Sequence, residues 1–96
     1  MHNSSTNKIS DAVFEARTDD NKNIILAFKT EKDEYFLEEW KTFGNEKFLE
    51  TYGSYPLNEL IWEIRHLITF SANEDIICKI KKNNISAGKE ISVILP

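Results

Sequence analysis

DEYFLEEWKTFGNEKFLETYGSY, residues 33–55, is the stretch on which the architecture turns. Phe36, Leu37, Trp40 and Phe43 recur at helical spacing, with Glu38, Glu39 and Lys41 opposite them. Asp33 can cap the start, and Gly44 follows where a left-handed residue often ends a helix. The spacing predicts a helix over 33–43. Phe48, Leu49 and Tyr52 supply the apolar edge of one or two further helical turns over 45–52, stopped by Gly53. The competing reading of 33–43 is a strand paired with residues 24–29, because Tyr35 is aromatic and the connection is short.

The flanking segments read more simply. After Pro56, the residues Leu57, Leu60, Ile61, Ile64, Leu67 and Ile68 form one apolar stripe and predict a helix over Pro56–Phe70. Pro56 suits a first helical turn and Ser54 suits its cap. Burying those six side chains would contribute on the order of 10 kcal/mol before entropy is subtracted. Upstream, Ala12–Arg17 alternates, with Ala12, Phe14 and Ala16 on one side. Thr18–Asn23 is a polar turn, and Ile24–Lys29 is a second, more central strand with faces Ile24/Leu26/Phe28 and Ile25/Ala27. Downstream, Ile76–Lys82 and Glu90–Leu95 alternate on either side of a turn containing Asn83, Asn84 and Gly88, a second hairpin. The expected fold is α+β: an antiparallel sheet of about four strands, in two hairpins, with a central helical block on one face.

Length and composition set the class. Ninety-six residues make a single domain, 1–96, with residues 1–9 expected as a flexible tail. A hydrophobic content of 41% and a charged content of 29% are those of a folded chain. Met1–Ser10 is polar and lacks the apolar core of a secretory signal, and no apolar run approaches a membrane span. The lone Cys78 cannot form an internal disulfide, so a reduced cytoplasm is the simpler setting. A net charge of −4 disfavours nucleic acid as a partner and favours a basic protein.

Motifs for chemistry are sparse. The histidines are His2 and His66, and no glycine-rich phosphate loop, paired-cysteine motif or nucleophile elbow is present. No cofactor or metal site is expected. A Cys78–His66 pair lacks an evident orienting third residue. The carboxylate pairs Asp19-Asp20 and Glu74-Asp75 fall in turns, where solvation is the ordinary outcome.

What stands out is an excess. Seven of the eleven aromatic residues lie between Tyr35 and Tyr55. Over residues 31–55, seven acids face three lysines, a net −4 that equals the charge of the whole chain. On the back of the long helix, Trp62 lies away from the apolar stripe, beside Glu59, Glu63 and His66, with His66 spaced to stack on it. Two readings hold for each group. Trp62 is covered by the 33–52 block and the acids are a solvated helix face, or rings and carboxylates together form a docking surface. On the second reading the partner-binding residues are Glu38, Glu39, Glu46, Glu50, Glu59, Trp62, Glu63 and His66.

In size, acidity, single cysteine and the acidic-aromatic run from Glu34-Tyr35-Phe36-Leu37-Glu38-Glu39-Trp40 through Phe48-Leu49-Glu50-Thr51-Tyr52 to Leu57-Asn58-Glu59-Leu60, the chain resembles the small immunity proteins that bacteria pair with secreted toxins, including those of contact-dependent growth inhibition. The resemblance is of general type and carries no individual residue over. It implies a non-enzymatic cytoplasmic inhibitor that covers the active-site cleft of a basic, nuclease-type toxin domain, with carboxylates taking the place of phosphates. A regulatory or phage-encoded adaptor, dimerising through a strand edge, is the alternative. A small enzyme using His66 is a third reading.

Overall fold

The first hairpin forms as its alternation requires. In the computed structural model, which describes residues 7–71 and 78–85, strand β1 runs Phe14–Thr18 and β2 runs Asn23–Lys29. They pair antiparallel, with Phe14 opposite Ala27 and Arg17 opposite Ile24. Thr18 locks the turn: its hydroxyl donates to Asp20 Oδ1 at 2.7 Å and accepts from the Asn23 amide at 3.1 Å. Ile25 and Ala27 go to one face, and Ile24, Leu26 and Phe28 to the other.

Residues 33–43 take the strand alternative, and 46–55, expected as helical turns over 45–52, form a strand as well. Tyr35–Phe43 is β3 and Glu46–Tyr55 is β4, an antiparallel hairpin closed at Gly44-Asn45, where Gly44 adopts φ +61°. The helices expected over 33–43 and 45–52 are therefore absent. The apolar residues that mimic helical spacing are shared between two buried faces. Tyr35 and Leu37 point to one side, and Phe36 and Trp40 point to the other, where Phe36 stacks on Phe28 at a ring separation of 5.2 Å. Gly53 does not stop a helix. It sits at φ +122° opposite Phe36, where a Cβ would lie 3.0 Å from both Phe36 Cα and the Tyr35 carbonyl oxygen.

Strand β5, Cys78–Asn83, pairs antiparallel with β1, and the sheet among the described residues has five strands in the order β4-β3-β2-β1-β5, rather than about four. The strand expected over Glu90–Leu95 lies outside the described residues. Helix α1, Leu57–Ser71, is the single α-helix among the described residues. Its first bond runs from the Leu60 amide to the Pro56 carbonyl. Ser54, expected as the cap, instead donates its hydroxyl to Glu34 Oε1 at 2.9 Å. The stripe Leu57, Leu60, Ile61, Ile64, Leu67 and Ile68 packs on Phe14, Ala16, Ile25, Ala27, Leu37 and Cys78, the main core. No helix among the described residues is long and apolar enough to cross a membrane.

The back face is strapped by residues 7–13. The Asn7 side-chain Nδ2 donates to Glu38 Oε2 at 3.1 Å, Lys82 Nζ donates to the Ser10 carbonyl at 3.1 Å, and Ala12 is buried with Leu26 and Phe28. Ala12, expected on the same side as Phe14 and Ala16, thus lies on the opposite one. Strand β1 begins at Phe14, and the chain reaches it from behind.

The path of α1 leaves one corner of its face open. The helix departs from the Tyr55 end of β4, and the next described element, β5, begins at Cys78 opposite Thr18, across the sheet. The helix-side core accordingly includes Leu37 and Tyr52 but not Phe43 or Phe48.

Candidate functional site

Period two along β3 sends two adjacent acids to opposite faces. Glu38 lies on the back face, 3% exposed, under Asn7. Glu39 lies on the helix side, 2% exposed, and its Oε1 accepts the Tyr52 hydroxyl at 2.8 Å. Neither presents its carboxylate outward, which corrects the expectation that both would face a partner. As a helix, 33–43 would have shown both to solvent. As a strand in a sheet covered on both faces, it shows neither.

Glu39 anchors a compact network. Directly across the ladder stands Glu50, a like-charged pair that a bare sheet disfavours. Tyr52 and Lys41 reconcile it. The Tyr52 hydroxyl is also 2.7 Å from Glu50 Oε2, so a single phenolic proton serves two carboxylates. Lys41 Nζ lies 3.4 Å from Glu50 Oε1 and 3.7 Å from Glu39 Oε1. The Tyr52 hydrogen bond first, and Lys41 second, hold Glu50 below its ordinary range. Burial, reinforced by the two carboxylates, drives the Tyr52 phenol well above its own.

Beside this network lies the open corner. Phe43 and Phe48 meet at a ring separation of 5.6 Å and a tilt of 56°, and Phe43 remains 64% exposed. With Lys41, Leu49 and Glu50 they line a groove of about 410 Å³. Glu46 stands opposite Phe43 at the turn and is exposed. The corner therefore combines two accessible rings, two accessible carboxylates and one lysine held between acids.

The remaining expected residues are on the helix. At about 100° per residue, Trp62 and His66 straddle the pole opposite the core stripe, and Glu59 and then Glu63 turn toward one flank. Burial first, then the charges of Glu63 and Glu59, raise the Tyr55 phenol above the ordinary range, so these two acids lie near the Tyr55 end of β4, away from the Phe43–Phe48 end. Trp62 is 65% exposed, so the reading in which the 33–52 segment covers it does not hold; that segment is part of the sheet. The group over its ring is Arg65, with Cζ 4.9 Å from the centroid, rather than the expected His66, which is exposed.

The structure thus brings Glu39, Glu46 and Glu50 to the helix side of the hairpin, and leaves Glu59 and Glu63 near its Tyr55 end. It separates Glu38 onto the back face and Trp62 onto the outward pole. Sequence reasoning missed Lys41, Phe43 and Phe48 as members. Gly44-Asn45 was the signal available: read as a two-residue hairpin turn, it fixes the register that pairs Glu39 with Glu50 and places Phe43 beside Phe48. Cys78 is buried beneath α1, where burial pushes its thiol up to about 11, and His66 is on the far side of that helix. Among the described residues no group of three or more histidine, cysteine or acidic side chains is placed to hold a metal ion. No family model, no curated protein and no solved structure matches the chain.

Proposed function

We propose that the protein is a protein-binding inhibitor, most concretely a cytoplasmic immunity protein that neutralises a basic, nuclease-type toxin domain by covering its active-site cleft. The observation that carries this reading is the open corner, where exposed Phe43 and partly exposed Phe48 adjoin Glu46 and Glu50. Rings of this kind anchor interfaces, and surrounding carboxylates steer and select a cationic partner. The Glu39–Tyr52–Glu50–Lys41 network supports the reading in a second way. It fixes Glu50 from below, so a partner cation meets a pre-positioned carboxylate and little side-chain entropy is lost on binding.

The test is inhibition of a cationic nuclease domain encoded beside this chain in its native genome. Tight inhibition that weakens with salt is expected. Glu46→Lys with Glu50→Lys should weaken it by about a hundredfold at low salt, whereas Trp62→Ala, on the outward pole, should have a smaller effect. Equal inhibition by the charge-reversed and natural proteins would remove the corner from the interface.

A further inference from the structure

We infer that the outer edge of β4 is a strand-addition site, taking an extended partner segment in which basic and apolar residues alternate; this rests on the inhibitor reading for the partner's charge but on the sheet alone for its geometry. Strand β4 ends the sheet among the described residues, and none of its ten residues is buried. The direction of its backbone groups follows from the ladder. The Thr42 amide donates to the Lys22 carbonyl at 2.8 Å, so even-numbered residues of β3 turn toward β2 and odd-numbered ones toward β4. Across from the latter, Phe48 and Glu50 turn their amides and carbonyls inward, and Leu49 and Thr51 turn theirs outward. Open backbone groups of this kind pair with an added strand.

The edge has natural limits. Gly44 turns the chain at one end. At the other, the register shift at Tyr35/Phe36 and the positive φ of Gly53 interrupt the regular ladder. A short segment alongside 46–52 is what fits. Its side chains would alternate between two different surroundings. On the helix side they meet Phe48 and Glu50, with Glu46 and Phe43 beyond. A lysine or arginine suits that position, its stem on the rings and its cation at the carboxylates. On the back face they meet Leu49 and Trp40, which stand opposite one another, and an apolar side chain suits that position. A second copy of this chain fits less well, because it would bring another Glu46 and Glu50 onto the same ladder.

Amide hydrogen exchange on the full chain tests this, with a short alternating lysine–valine peptide as probe and an alternating glutamate–valine peptide as control. The lysine peptide should slow exchange at the Leu49 and Thr51 amides by about tenfold or more, less so in high salt, and the glutamate peptide should not. Thr51→Pro deletes one outward N–H without touching the β3–β4 bonds, and should abolish the protection while leaving the thermal melt nearly unchanged. If that variant fails to fold, the unaltered chain with the two peptides still decides. Equal protection by both peptides, or by neither, overturns the inference. So does a homodimer that protects Leu49 and Thr51 without peptide. Toxin inhibition that persists while the peptide gives no protection would sink the edge site alone. Peptide protection by a chain that inhibits no cationic nuclease would sink the inhibitor reading alone.

Discussion

The two hairpins have the same topology and opposite economies of burial. In β1–β2 the residues under the helix are small or apolar: Phe14, Ala16, Ile25 and Ala27. The only acid on β1, Glu15, pairs locally with Arg17. In β3–β4 the helix side starts apolar at Tyr35 and Leu37, then turns into Glu39, Glu50 and Lys41, and ends on exposed rings. One hairpin spends its length on the core. The other is half core and half surface, and the candidate site begins where the helix stops covering it.

The sharpest way to break that contrast is to remove the same residue from each. Phe14 is fully buried, and Phe14→Ala should cost about 3–5 kcal/mol, a loss measurable by denaturant melts and enough to threaten folding at this size. Phe43→Ala should stay within about 0.5 kcal/mol, because its ring is mostly in water. A large loss at Phe43 would show that the corner is covered in solution.

The same contrast explains what the sequence made legible. β1, β2 and α1 each bury a set of residues whose period matches the element, and they were readable within a few residues. Ile24/Leu26/Phe28 and Ile25/Ala27 separated correctly because both faces of β2 are apolar without interruption. β3 was misread because it is buried on two faces by different partners. Phe36 and Trp40 serve the back cluster, Leu37 serves the helix side, and Phe43 stands exposed beyond both; together they fall at helical spacing by coincidence. The adjacent Glu38 and Glu39 strengthened the error, since paired acids on a helix are ordinarily solvated. At the corner, Glu46 and Glu50 could be named from charge alone. Lys41 could not, because its membership depends on a cross-strand register that the helical reading erased.

A smaller effect separates two glycines within the second hairpin. Gly53→Ala forces a Cβ to 3.0 Å from the backbone of the neighbouring strand at φ +122°, and should cost about 2–3 kcal/mol with disturbed amide signals at Tyr35 and Phe36. Gly44→Ala meets nothing within 4 Å, so only its φ of +61° opposes it, at about 1 kcal/mol. Equal losses at the two positions would mean that the close approach at Gly53 is relieved in solution, and with it the limit on how far β4 pairs regularly.

The finest comparison is between the acids that each hairpin holds below their ordinary range. Asp20 is held there first by the Lys22 amide and then by the Thr18 hydroxyl; Glu50 is held first by the Tyr52 hydroxyl and then by Lys41. A depressed carboxyl contributes stability above its unfolded value that is lost as pH falls through its folded one. Both hairpins should therefore weaken on acidification, β3–β4 below pH 4.5 and the β1–β2 turn below pH 3.8, as read by amide exchange in each. Because a neutral hydroxyl leads at Glu50, about 1 M salt, where charges are screened beyond about 3 Å, should leave most of its depression in place. Tyr52→Phe should raise the Glu50 titration midpoint more than Lys41→Met does. The reverse order would make the corner an ion pair with a bystander phenol, and its carboxylate would then be free to move when a partner cation arrives.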